Sequence, residues 1–230
     1  MTILYILAAL CVAFSVGSAV LRDKGIEKPR LVCKLTASLL FCLIGALGLS
    51  MREAPINRQA ALMMAALILG FVGDILLGMD HLVKDEYQNF LLVMGGTPFF
   101  VGHLLYITLL LSYGAPRLWL LAILPVVPLV FFVCSRLKLF DAGKFMIPLL
   151  IYGVVLGGMV LSTWNLALQG GPLGGLMWAP GILFAISDTS LFMGKYGREA
   201  LGRATKVVPY MVMLPYYGAQ ALFALSIVYL

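Results

Sequence analysis

The sequence predicts an all-α fold, a polytopic membrane bundle of eight transmembrane helices with both termini on the non-cytoplasmic side. Three observations predict it. The 230 residues are 62% hydrophobic and only 11% charged, with a mean hydropathy of +1.03. An ordinary globular chain is roughly 45–50% apolar and about 25% charged, so an aqueous fold of this size has nowhere to hide the surplus. Apolar runs of about 20 residues, enough to cross a bilayer core, follow one another with short breaks, and the basic residues gather in alternate breaks.

Taken in order, the predicted spans are 2–21, 31–50, 58–79, 97–114, 117–135, 144–165, 173–193 and 207–229, together one integral membrane domain (1–230) with no soluble domain attached. The first run carries small residues (Val16-Gly-Ser-Ala19) that a signal peptidase could cut, but positive charge follows it rather than preceding it. That pattern predicts a first transmembrane helix with its N-terminus outside. The fourth span is predicted to open at "GGTPFF", with Thr97 as N-cap and Pro98 in the first turn. "GVVLG" (153–157) and "QGGPLGG" (169–175) read as a helix-packing stripe and a tight turn. Continuous runs, rather than short alternating ones, exclude a transmembrane barrel.

Charge orients the bundle. Of the 16 Lys and Arg, only Arg52, Arg58 and Arg117 fall after even-numbered spans. The rest, including Arg198 and Arg203, fall after odd-numbered spans, so the positive-inside rule makes those loops cytoplasmic. This placement also accounts for the net charge of +6 without nucleic acid. Cys11, Cys33, Cys42 and Cys134 lie scattered in apolar segments without a C-x-x-C pair, so they read as small buried hydrophobes rather than a disulfide or zinc framework.

Against this background two aspartates stand out, Asp74 in "FVGDILLG" and Asp188 in "LFAISDTSL". Each lies five residues before the cytoplasmic end of its span, roughly 8 Å deep, and His103 comes to roughly 9 Å below the same surface. Tyr216, Tyr217 and Gln220 on span eight and Tyr152 on span six reach somewhat deeper. Ionisable groups inside a membrane face the bundle interior, pair with one another and mark sites of function. Two carboxylates close together in a low dielectric cannot both ionise freely, which leaves a proton donor beside an acceptor. Asp80, His81, Asp85 and Glu86 read as a solvated loop. Neither a His-x-x-x-His nor a Gly-x-Ser-x-Gly pattern occurs, so no metal, no other cofactor and no serine nucleophile is predicted. The spacing of 29 residues from Asp74 to His103 and from Asp188 to Tyr217 hints at a parallel four-plus-four duplication of the kind found in transporters.

The ordered segments "LVCKLTASLL", "FVGDILLG", "GGTPFFVGHLLYI", "MIPLLIYG", "LFAISDTSL" and "PYYGAQALFALS" resemble the signatures of the YhhN-like, or lysoplasmalogenase, membrane family from about Lys34 to Ser226. The resemblance implies cleavage of the vinyl ether of a lysophospholipid substrate, a lysoplasmalogen, to a fatty aldehyde and a glycerophospho-headgroup. It implies Asp74, His103, Asp188, Tyr216, Tyr217 and Gln220 as site residues, with Lys34 and Tyr152 beside them. The sequence departs from the pattern in Pro215, where a threonine is expected, and in a longer stretch from Asp80 to Met94. One aspartate is expected to protonate the vinyl ether and the other to stabilise the resulting cation, as carboxylates do in glycoside cleavage. His103, Tyr217 and Gln220 are expected to orient water or the ether oxygen, and Lys34 or cytoplasmic arginines to hold the phosphate. The alternatives are a lipid or proton-coupled transporter and a hydrolase of another lysolipid. The expected setting is a bacterial inner membrane, with membrane lipid as the only other partner.

Overall fold

Every apolar run becomes a helix or a pair of helices, because in hydrocarbon a backbone must satisfy its own donors and acceptors. The computed structural model describes residues 1–230 apart from 54, 85–86, 115–116 and 198–205. Its helices are α1 Thr2–Asp23, α2 Glu27–Ser50, α3 Arg58–Gly78, α4 Gln88–Leu111, α5 Leu118–Leu121, α6 Val126–Arg136, α7 Met146–Ala167, α8 Gly171–Leu176, α9 Pro180–Tyr196 and α10 Val208–Ser226. Among the described residues eight helical segments are long and apolar enough to cross a membrane. Stretches Trp119–Arg136 and Gly171–Tyr196 each count as one span although a short break divides them.

The helices close on α10. It packs against α9, α1 and α2, while α3 packs on α4, α4 on α7 and α7 on α9. Burial follows this order: 61% of the α10 span is buried inside the protein, against 6% of the span containing α6. The core carries aromatic bulk, with Phe41, Tyr106, Phe184, Tyr217 and Phe223 all essentially inaccessible. Tyr106 stacks on Phe223 with centroids 4.1 Å apart.

Local chemistry explains most boundaries. Asn57 caps α3, its side-chain oxygen accepting from the Ala60 N–H at 2.8 Å. Gly170 and Gly171, with φ of +79° and +74°, make the turn into α8 that "QGGPLGG" predicts. A methyl added to Gly157 would stand 2.9 Å from Val127, so this glycine does serve helix packing, α7 against α6.

Several boundaries differ from the sequence reading. Helix α4 begins at Gln88 rather than Thr97, and Pro98 lies inside it. Thr97 does not cap; its hydroxyl donates to the Val93 carbonyl one turn back, at 2.8 Å. Packing decides this, because Gly95 presents a bare backbone that lets Leu77 of α3 close in to 2.6 Å from a would-be Cβ. Span five breaks ahead of α6, whose N-terminal flank is Pro125, and span seven breaks ahead of Pro180, the first residue of α9. Finally, Asp80 stays partly solvated, with its side chain 37% exposed, but it is not a free loop charge. The 3-10 turn Met79–Leu82 brings it to Arg30 of α2, Nη2 to Oδ1 2.6 Å. Asp85, Glu86, Arg198 and Arg203 lie outside the described residues.

Candidate active site

The site is assembled from two clusters. In the first, Asp74 of α3 is 2% exposed and carries three partners. Lys34 Nζ lies 3.3 Å from its Oδ1, while the hydroxyls of Ser38 and Tyr216 each donate to Oδ2 at 2.7 Å. Lys34 and Ser38 sit four residues apart on one face of α2, and Tyr216 comes from α10. Tyr217, next in sequence, donates to the Lys34 carbonyl at 3.0 Å and stands 3.0 Å from Ser38 Oγ. Gln220 donates to the Tyr216 oxygen at 3.2 Å and accepts from Tyr106 at 2.8 Å.

Tyr216 reaches Asp74 because α3 is bare at the crossing. A methyl on Gly70 would stand 2.3 Å from Gln220 Nε2 and 3.2 Å from the Tyr216 hydroxyl. One turn on, a methyl on Gly73 would meet the Phe99 ring at 2.6 Å. Pro215 lies inside α10 just before the tyrosine pair. In the turn before it, Ser187 of α9 donates to the Val212 carbonyl at 2.9 Å and ties α10 to α9.

In the second cluster, Asp188 of α9 is 8% exposed. Its Oδ2 accepts from the Tyr152 hydroxyl of α7 at 2.7 Å and lies 3.3 Å from His103 Nε2 of α4. His103 Nε2 is also 3.1 Å from the Tyr152 oxygen, so the three side chains form a triangle. The imidazole is 1% exposed, and its Nδ1 has no hydrogen-bond partner among the described residues. Phe184 packs edge-on against both this imidazole and Tyr216, at 5.0 and 5.5 Å between centroids, and joins the clusters through apolar contact.

Both clusters open onto one cavity of about 730 Å³. Lys34, Asp74, Tyr152, Asp188 and Tyr216 line it. His103, Tyr217 and Gln220 stand behind them, bonded to lining residues. The aspartates therefore face a common space, but each has its own hydrogen-bonding and basic partners. The residues 29 apart also pair crosswise: Asp188 with His103, and Asp74 with the neighbour of Tyr217. Each half of the chain thus completes the other's cluster.

Sequence reasoning did not pick out Ser38, Tyr106 or Arg30. Serine and tyrosine in a membrane helix are ordinary, and only their helical spacing from Lys34 and His103 signalled a shared face. Arg30 falls just before the predicted start of span two at 31, where it counts as a loop charge, whereas α2 begins at Glu27. Among the described residues no three of His, Cys, Asp and Glu converge as metal ligands would.

A multi-pass helical bundle that surrounds one cavity with two buried aspartates, each beside a basic group, is a membrane protein built around an intramembrane polar site. The chain belongs to the YhhN family, whose model matches residues 29–227. No curated protein and no solved structure matches it.

Proposed function

We propose that the protein is an intramembrane hydrolase that cleaves the vinyl ether of lysoplasmalogens, with Asp188 as general acid and Asp74 as the carboxylate that stabilises the cation. Membership of the YhhN family, which the ordered motifs link to lysoplasmalogenases, supports the substrate class. The observation that carries the division of labour is the different company of the two aspartates. Asp74 faces an ammonium, Lys34, and two hydroxyl donors. Asp188 faces a phenol and an imidazole instead.

Chemically, the proton of Asp188 goes to the β-carbon of the vinyl ether. The π electrons form the new C–H bond, and the ether oxygen shares a lone pair with the α-carbon as an oxocarbenium ion. A carboxylate within the cavity stabilises that charge far better than water-filled surroundings would. Water then adds to the α-carbon and gives up a proton, which restores Asp188. The hemiacetal breaks its carbon–oxygen bond to the glycerol, leaving a fatty aldehyde and the glycerophospho alcohol. Tyr152 and His103 hold the Asp188 carboxyl in one orientation; Tyr216 does the same for Asp74.

The test is direct. Purified protein in neutral detergent, given lysoplasmenylethanolamine, is expected to release aldehyde, and Asp188→Asn to abolish release while the bundle stays folded. Full activity in that variant removes the acid assignment. Aldehyde release absent from the wild type, with hydrolysis of an ester lysolipid in its place, favours a hydrolase of another lysolipid. Proton-coupled uptake into vesicles favours a transporter.

A further inference from the structure

The mouth of the cavity carries charge that the proposed chemistry leaves unused. Arg22 near the end of α1 and Lys195 in the last turn of α9 both line it, together with Asp80. Asp80 is held on Oδ1 by the buried Arg30, which also binds Glu27. Its Oδ2 is 3.8 Å from Arg22 Nη2, beyond hydrogen-bond reach, and both side chains are about two-fifths exposed, 40% and 37%. A pair so exposed and so loosely spaced adds little, because water screens it. Arg22 is therefore weakly committed.

We propose that Arg22 and Lys195 form an anion subsite that binds the phosphodiester of the lysolipid, an inference that rests on the hydrolase reading above for its substrate. Spacing supports it. Lys195 lies seven residues beyond Asp188, on the same face of α9 two turns further on, a rise of about 10 Å. A lysoplasmalogen separates its vinyl ether from its phosphorus by one glycerol unit, comparable to that rise less the reach of a lysine stem. Much of the remaining wall is apolar, with Leu91, Leu92, Phe100, Leu149 and Leu191 available to the hydrocarbon chain. An arginine fork grips a phosphate with two parallel hydrogen bonds, and a lysine adds a point charge. Lys34 is not part of this subsite, because its ammonium is engaged by Asp74.

The experiment uses the full chain in neutral detergent. In Arg22→Gln/Lys195→Gln, KM for lysoplasmenylethanolamine is expected to rise about tenfold, the loss of a hydrogen bond to a charged group, with kcat within about twofold. Arg22→Lys retains much of the affinity. Arg136→Gln, whose guanidinium lies over Phe132 away from the cavity, leaves KM unchanged. An unchanged KM in the double variant overturns the subsite. A second measurement does not need turnover: thermal stabilisation by lysophosphatidylethanolamine compared with monoacylglycerol. The wild type is expected to prefer the phospholipid, and the double variant to treat the two alike. If the wild type shows that preference but releases no aldehyde, the hydrolase reading falls and the subsite stands. If it shows no preference, the subsite falls. Stabilisation by anionic phosphatidylglycerol micelles equal to that by the lysolipid would mean a bulk-lipid contact at this rim and would overturn the substrate assignment.

Discussion

Lys34 Nζ stands 3.3 Å from Asp74 Oδ1, with side chains only 7% and 3% exposed. A charge pair removed this far from water is worth little net against an apolar pair of the same shape, yet breaking it by deleting one partner costs about 3–5 kcal/mol. Lys34→Met is therefore expected to lower the unfolding transition in detergent sharply, and Asp74→Asn to do so less, since an amide can still accept from Ser38 and Tyr216. The double variant Lys34→Met/Asp74→Asn should recover much of the stability while remaining inactive. Strictly additive losses in this cycle would mean that the two side chains do not act as a pair.

At Asp188 the expected consequences are catalytic rather than structural. Positioned proton transfer contributes about 10²–10⁴-fold to rate, so Asp188→Asn should reduce aldehyde release by at least that order. Tyr152→Phe removes the 2.7 Å donor to Asp188 but leaves the carboxyl in the cavity. A loss of about tenfold in kcat, with KM little changed, is the expected result. Equal rates for Tyr152→Phe and the wild type would show that this hydroxyl does not orient the acid.

Two glycines provide a contrast that depends only on packing. Gly70→Ala drives a methyl to 2.3 Å from Gln220 Nε2, so Gln220 and the Tyr216 phenol must move. We expect lost activity and a destabilisation of about 1–3 kcal/mol. Gly175→Ala meets nothing within 4 Å and should be silent within about 0.5 kcal/mol. Melting curves and aldehyde assays on both variants decide the matter, and an active Gly70→Ala protein would contradict the close crossing of α3 and α10.

The distribution of Lys and Arg predicts which loops are cytoplasmic. A reporter that fluoresces only in the cytoplasm, fused after Leu230 and expressed in a bacterial inner membrane, is expected to stay dark. The same reporter placed in the stretch after α9 should fluoresce. The reverse pattern would put the Arg22 and Lys195 rim on the outer face and would overturn the positive-inside reading.

How much of this was legible beforehand differs from residue to residue. Asp74 and Asp188 announced themselves, since a carboxylate amid leucine and isoleucine has few reasons to be there other than a partner. Lys34 was legible as a charge inside a span, but not as the counter-ion of Asp74, because that contact joins residues forty positions apart in the sequence. Thr97 and Pro98 misled, since the same dipeptide that opens a helix in isolation is tolerated inside one when a neighbour such as α3 supports it. Asp80 misled too, because a short 3-10 turn returned it to Arg30.

From composition, run length and charge placement alone, the chain was bound to be a bundle of eight membrane helices, because hydrocarbon admits no other use of such runs and because orientation depends on local charge. What those quantities could not contain is which helices touch. Only the folded bundle decided that α10 lies at the centre, that Asp74 answers to Lys34 and Asp188 to His103, and that both aspartates share one cavity. Contacts between helices depend on the shapes of facing side chains, at places such as Gly70 and Gly73, and shape complementarity between distant segments leaves no periodic trace along a single strand of sequence.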